Sequence, residues 1–256
     1  MQHSEYCQTM PGEVLSPSQA STYLSCSARW RFKYLIGLPD PAGGGAVRGK
    51  AVHAAVEYYM RAKLAGVVLD TAAVMNDWDV MWDEASEGAE FAAHEDVESL
   101  KASGAVLATR YLEEAAPHIE PAAVEVPLSG RINGVAVRGI ADIITTDGTI
   151  IDLKTASRKP SGVSGDHAFQ LATYVELYPA SNGQARIDSL VSTKDPQLVQ
   201  IGHRPGPEGH YLVERMYPMI VDAIEGGLFM PNRASMFCSR CPYTRECEKE
   251  FGGQVQ

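Results

Sequence analysis

The chain has 256 residues, 45% hydrophobic and 21% charged, which describes one soluble globular domain with a large core, or that domain plus a small appendage, and excludes a disordered or fibrous protein. Its first residues, Met-Gln-His-Ser-Glu-Tyr-Cys, have no basic start and no apolar run, and no stretch approaches the roughly eighteen apolar residues of a membrane span. A cytoplasmic protein is expected, with its five cysteines reduced and acting as ligands, catalysts or core residues.

The net charge of −10 argues against a nucleic-acid partner, but it is not evenly spread. Residues 70–98 hold ten acidic side chains (Asp70, Asp77, Asp79, Asp83, Glu84, Glu87, Glu90, Glu95, Asp96, Glu98) and no lysine or arginine, so the rest of the chain sums to zero. Between Arg29 and Lys63, seven basic residues (Arg29, Arg31, Lys33, Arg48, Lys50, Arg61, Lys63) face only Asp40 and Glu57, a stretch on which a polyanion can dock.

Ser16-Pro17-Ser18-Gln19 reads as a capped helix start, with a Ser N-cap, Pro at the first position and Gln to close the box, and the helix is expected to run to about Gly37. A Pro/Gly-rich linker over 39–45 leads into a second helix over 47–64, with Val52, Val56 and Tyr59 on one stripe and His53 and Glu57 on another. Val74, Trp78, Met81, Trp82 and Ala85 keep helical spacing through the acidic segment, and residues 97–116 predict one further helix. Gly44 to Ala51 imitates a P-loop but lacks the Ser/Thr that would hold Mg2+ and follows no strand, so ATP hydrolysis is not expected.

The period then changes. Residues 123–132, 135–145 and 149–156 are rich in Val and Ile and are separated by Asn133-Gly134 and Asp147-Gly148, which predicts an antiparallel meander. A helix over 166–178, strands near 187–192 and 198–202, and a helix over 211–224 containing Pro218 complete an α+β chain. Its expected organisation is a single domain over 1–256: a helical front (15–117), a central sheet and helix (121–204), and a closing helix and tail (208–256).

Charged residues in an apolar strand need a reason. Asp152 and Lys154 in Ile-Ile-Asp-Leu-Lys-Thr share a strand face, and burying such a pair costs several kcal/mol unless the two pair or bind an ion. Whether Asp142 joins them depends on register. A two-residue Asp147-Gly148 loop sends the two aspartates to opposite faces, whereas a three-residue loop, Thr146-Asp147-Gly148 with Gly148 left-handed, sets Asp142 opposite Asp152. The second register is expected.

Cys238, Cys241 and Cys247 supply three close thiols, and Cys26 on the first helix is the candidate fourth ligand; Cys7 is left over as a free thiol. Zinc is the ordinary occupant of a Cys-x-x-Cys, and soft thiolates suit zinc or iron–sulfur alike.

The motif order Gly-x-x-x-His (Gly49, His53), Gly-x-x-Asp (Gly139, Asp142), Asp-x-Lys (Asp152, Lys154) and Gln-x-x-x-Tyr (Gln170, Tyr174) resembles the RecB-like members of the PD-(D/E)XK nuclease superfamily and the CRISPR-associated iron–sulfur exonucleases among them. The resemblance spans about 15–247. It implies a restriction-endonuclease-like core whose central mixed sheet is flanked by helices, with His53, Asp142, Asp152 and the Leu153 carbonyl holding Mg2+ or Mn2+. Lys154 would assist the attacking water, with Gln170 and Tyr174 in support. Cys26, Cys238, Cys241 and Cys247 would hold a 4Fe-4S cluster that ties the amino-terminal helix to the carboxyl-terminal tail. The implied activity is DNA hydrolysis, as an exonuclease on single-stranded ends, with a helicase, recombination, phage-replication or CRISPR partner.

Glu125 reads as a structural strand residue, and Arg158, Lys159, Arg233, Arg240 and Arg245 as cations able to meet phosphates. Two other classes compete: a catalytically idle DNA- or partner-binding module that keeps the clasp, and a zinc-stabilised interaction domain. The first is disfavoured because Asp142, Asp152 and Lys154 are all present; the second predicts colourless protein.

Overall fold

A computed structural model describes residues 14–235 and 238–254, which leaves Cys7 outside the described residues. In chain order the elements are β1 (Val14–Leu15), α1 (Pro17–Ser25), α2 (Ser27–Trp30), a π turn (Arg31–Leu35), α3 (Gly44–Leu64), α4 (Thr71–Met75), α5 (Trp78–Ser86) and α6 (Val97–Glu114). They continue with β2 (Pro121–Ile132), β3 (Val135–Thr145), β4 (Ile150–Ala156), α7 (Gly165–Leu177), β5 (Ala185–Val191), β6 (Gln197–His203), α8 (Pro207–Glu225) and α9 (Thr244–Phe251). This is an α+β fold with a mixed sheet, and no helix among the described residues is long and apolar enough to cross a membrane.

Contacts divide the chain into two compact units, one of residues 1–40, 129–139 and 208–256, the other of 41–128 and 140–207. The second unit carries the longer helices and most of the sheet. There β3 runs antiparallel to β4, β4 runs parallel to β5 through the α7 crossover, and β6 returns antiparallel to β5. On one side α3 packs against α5 and α6 around Val52, Val56, Met60, Trp78, Trp82, Leu107 and Tyr111, and that core reaches Ile151 and Leu153 of β4. Ile150 to Leu153 are all buried, as a strand covered on both faces should be.

The acidic segment is two short helices rather than one. Val74, Trp78, Met81, Trp82 and Ala85 are buried as their spacing predicts, but the chain breaks at Asn76-Asp77. Several of its carboxylates have structural work. Asp70 caps α4 by accepting from the Ala73 amide at 2.7 Å, Asp96 caps α6, and Glu95 accepts from the Ala92 amide at 2.9 Å.

The β3–β4 turn decides the register. Thr145 and Thr149 close it, with the Thr145 amide 3.0 Å from the Thr149 carbonyl oxygen, and Gly148 has φ +85°. A side chain at Gly148 would also press on the Ala180 oxygen and the Asn182 nitrogen, both at 3.0 Å. The loop is therefore Thr146-Asp147-Gly148, and Ile143 lies opposite Ile151. One step further along, Asp142 lies opposite Asp152.

In the first unit, Val14 and Leu15 pair with Ala136 and Val137 as a short parallel strand that carries no sequence signal of its own. Ser16 caps α1 as expected, accepting from the Gln19 amide. The expected single helix to Gly37 is broken at Cys26, whose backbone is extended (φ −165°, ψ 101°). The break frees amides for the 230 segment: the Ala28 amide donates to the Met230 carbonyl and the Met230 amide to Ser27 Oγ. Gly37 ends the run with φ +76°, the left-handed stop that glycine permits.

Candidate active site

The site lies in the second unit and begins with the two facing strands. Asp142 Oδ2 accepts a hydrogen bond from the Leu153 amide at 2.7 Å, which locks its carboxylate across the β3–β4 ladder. On β4, the Asp152 side chain is only 2% exposed, with the Lys154 ammonium 2.7 Å from Oδ2. That contact lacks hydrogen-bond geometry, so Oδ2 is a buried carboxylate oxygen with a charge partner and no hydrogen bond. The other oxygen, Oδ1, accepts from Gln170 Nε2 at 3.0 Å, and the same amide nitrogen lies 2.8 Å from the Tyr174 hydroxyl. Gln170 and Tyr174, one turn apart on α7, thus fix the carboxylate's orientation.

Helix α3 brings the imidazole. Gly49 is where the helix crosses β4: a Cβ there would meet Thr155 Oγ1 at 3.1 Å, so only glycine gives this approach without displacement. One turn later His53 Nδ1 lies 3.8 Å from Asp142 Oδ1. Glu57 follows after another turn and is held by Arg61 at 2.6 Å.

Glu125 of β2 completes the group. Its φ of +51° lies in the left-handed region that non-glycine residues rarely adopt and that tends to persist at functional sites. One ligand atom each from His53, Glu125 and Asp142 lie within 4.8 Å of one another, a spacing that suits a cation. Glu125, read from the sequence as structural, therefore belongs to the site. The signal was weak: one carboxylate among Val124 and Val126, with nothing in the spacing to mark the left-handed turn.

The electrostatics show what this cluster lacks. Burial first, then the Asp142 and Glu57 carboxylates, push Glu125 up to about 7. Burial likewise raises Asp142 to about 6 against the pull of the Leu153 amide and Lys154. Asp152 is raised by burial despite Lys154, and Tyr174 is raised, again chiefly by burial. His53 is lowered by burial and by Lys154, so its ring is neutral, the form that ligates metals. Buried carboxylates with raised pKa values, a neutral imidazole and an oxygen without a hydrogen bond are a donor set short of positive charge. A hard divalent cation fits it.

The structure thus places His53 and Asp142 with Glu125 in the group spaced for a cation, and sets Asp152 beside it with Lys154, Gln170 and Tyr174; contrary to the expected ligand set, Asp152 offers no oxygen within that 4.8 Å group, and Leu153 meets Asp142 through its amide. It gives a different answer for the basic stretch over 29–63, where most cations already have partners. Arg29 and Lys33 pair with Asp40, and Arg31 with Glu250. Arg48 is buried on Ser192, Arg61 holds Glu57, and Lys63 holds Glu120. Lys50 stays exposed.

In the first unit, Cys26, Cys238, Cys241 and Cys247 all line one narrow cavity, walled also by Ala28 and Phe32. All four are free thiols, and burial raises Cys241 and Cys247. Among the described residues, no three cysteine sulfurs come within 4.8 Å of one another.

The sequence matches the model of the PD-(D/E)XK nuclease superfamily over residues 14–248. In fold, it is similar to the crystal structure of a Eubacterium rectale protein provisionally assigned as an exonuclease, with TM-score 0.60 and 15% identity over 96% of this chain and 94% of that one. The solved structure of SSO0001 is more distant, with TM-score 0.38 and 14% identity over 90% of this chain and 92% of that one. No curated protein matches the sequence significantly. With the family model spanning nearly the whole chain and its acidic strands meeting beside Lys154, this chain belongs to the PD-(D/E)XK nuclease superfamily and is a nuclease, a phosphodiester hydrolase.

Proposed function

We propose that the protein is a metal-dependent deoxyribonuclease, an exonuclease acting on single-stranded ends, in which the whole chain serves as one nuclease. The observation that carries this reading is the Asp152 carboxylate, buried in the sheet with one oxygen lacking a hydrogen bond, opposite Asp142 and beside Lys154.

Asp142, Asp152, His53, Glu125 and the Leu153 carbonyl would hold Mg2+ or Mn2+. Such a cation, when bound, polarises the phosphoryl oxygen and balances charge developing at phosphorus. Lys154 orients the attacking water and stabilises charge on the non-bridging oxygens, a task its ammonium can perform from its position beside Asp152. Gln170 occupies Asp152 Oδ1, which leaves Oδ2 to the Lys154 ammonium, and Tyr174 anchors Gln170 in turn. With no P-loop, unwinding falls to a partner such as a helicase, and the cytoplasmic pathway is recombination, phage replication or CRISPR adaptation.

In the same reading, Cys26, Cys238, Cys241 and Cys247 hold a structural 4Fe-4S cluster. A tetrahedral zinc site with bonds of about 2.3 Å needs sulfurs about 3.8 Å apart. What supports the reading is that all four thiols line one cavity, where a cluster would take one thiolate at each iron.

The test is end-labelled single- and double-stranded DNA incubated with Mg2+ or Mn2+, comparing the native protein with Asp152→Ala and Lys154→Ala. Each substitution should lower cleavage by roughly 10³-fold or more, and single-stranded ends should be the preferred substrate. Full activity in Asp152→Ala would overturn the mechanism, and a native protein that binds DNA without cutting it would indicate the idle binding module instead.

A further inference from the structure

Helix α7 presents three polar side chains, His167, Gln170 and Tyr174, at i, i+3 and i+7, the spacing of one helical face. Two are already explained, because Gln170 donates to Asp152 Oδ1 and reaches the Tyr174 hydroxyl. His167 lies one turn nearer the helix amino terminus on that face and belongs to none of the motifs that define the site. Its ring is half-buried and close enough to Lys154 and Asp152 of β4 to feel both charges, together with Asp166 on its own helix. Burial first, and the Lys154 ammonium second, lower its pKa, so the imidazole is neutral with one N–H donor.

That donor has no hydrogen-bond partner among the described residues, while the residue's backbone amide donates to Ser164 Oγ at 3.3 Å. The ring is part-exposed, so this donor is open to an incoming acceptor. Lys154 is the cation whose charge reaches the ring, and an anionic oxygen is the acceptor that would suit both groups. In a nuclease, that oxygen belongs to the substrate backbone.

We propose that His167 is a substrate-contacting residue, donating from its imidazole to a non-bridging oxygen of the phosphodiester that Lys154 addresses. The proposal rests on the nuclease reading above and deepens it. Gln170 and Tyr174 use the inner part of the α7 face to hold Asp152, while His167 uses the outer turn to hold the strand being cut. A phosphate contact of this kind carries no base specificity, which suits an enzyme that digests successive nucleotides.

The experiment is steady-state cleavage of a single-stranded oligonucleotide in Mn2+ by the native chain, His167→Ala, His167→Gln and Asp152→Ala, with Mn2+ affinity and Tm measured for each. Loss of one hydrogen bond to a charged oxygen predicts a KM raised roughly tenfold or more in His167→Ala, with a smaller change in kcat and with Mn2+ affinity and Tm unchanged. His167→Gln, which keeps an N–H donor, should recover most of the loss. Native KM in His167→Ala would overturn the proposal, as would a loss of Mn2+ affinity or Tm that glutamine does not restore. If the native chain cleaves and Asp152→Ala does not, a normal His167→Ala defeats this inference alone. If the native chain neither cleaves nor binds DNA, the nuclease substrate and this contact fall together.

Discussion

The two units solve the problem of gathering ligands differently. In the unit of residues 41–128 and 140–207, the carboxylates are placed by the backbone: the three-residue turn sets Asp142 opposite Asp152, and Gly49 lets α3 close on β4 to deliver His53. In the unit of residues 1–40, 129–139 and 208–256, Cys26, Cys238, Cys241 and Cys247 reach one cavity, but no three sulfurs converge within 4.8 Å. Strand register and a helix–strand crossing bury these side chains together, and that burial, with the neighbouring carboxylates second, raises Glu125 to about 7 and Asp142 to about 6. The thiols come instead from three separate places, the helix break at Cys26, a 3₁₀ turn over Cys238–Arg240 and the terminal helix α9. The first group already has the spacing a cation needs, whereas the second would need a bound group to draw its thiols together.

Substitutions can break this contrast. After the loss of cleavage in Asp152→Ala, the largest effect is expected from Glu125→Gln, which removes a candidate ligand: Mn2+ affinity, measured by calorimetry, should fall roughly 10- to 100-fold, whereas no change would return Glu125 to a structural role. Gly49→Val tests the backbone placement. Its branched side chain would collide with Thr155 Oγ1, so a loss of about 1–3 kcal/mol in unfolding free energy is expected, together with weaker Mn2+ binding as His53 is pushed from Asp142.

Cys241→Ala addresses the other unit. Anaerobically purified native protein should be brown and absorb near 400 nm (a wavelength typical of iron–sulfur clusters). The variant should lose that colour and have a lower Tm, while Mn2+ binding in the second unit persists. Colourless native protein carrying zinc would identify the cavity as a zinc site.

The smallest effect is on pH dependence. Glu125 and Asp142 titrate at about 7 and about 6 in the folded chain, against about 4 when unfolded. Their contribution to stability is therefore fully present below about pH 4 and is lost as pH rises through 6 to 7. In EDTA, Tm should fall by a few degrees between pH 5 and 7.5; Mn2+ should cancel the fall, and Glu125→Gln should flatten it. A Tm that rises over this range without metal would contradict the raised carboxylates.

Much of the site was legible in the sequence because its chemistry is unusual where it sits. Asp152 and Lys154 stand out as charges in an isoleucine-rich strand, and Gly49 before His53 and Gln170 before Tyr174 are marked by the motif order they share with the family. Glu125 was not legible, because a left-handed backbone at one strand residue follows from its surroundings and leaves no mark in composition. The paired state of Arg29, Arg31, Lys33, Arg61 and Lys63 was equally hidden, since partners such as Glu250 and Glu120 are distant in the chain.

The sequence by itself determined the α+β order, the two hairpin turns, the helix caps at Ser16 and Gly37, and the identity of the residues around Asp152, all of which depend on local backbone preference and on the cost of burying charge. Tertiary structure alone decided that α1 ends at Cys26, that Glu125 turns toward His53 and Asp142, and that four thiols share a cavity without closing on one another. These outcomes are set by hydrogen bonds and contacts between segments up to some two hundred residues apart, such as Ser27 with Met230, and no local pattern encodes them.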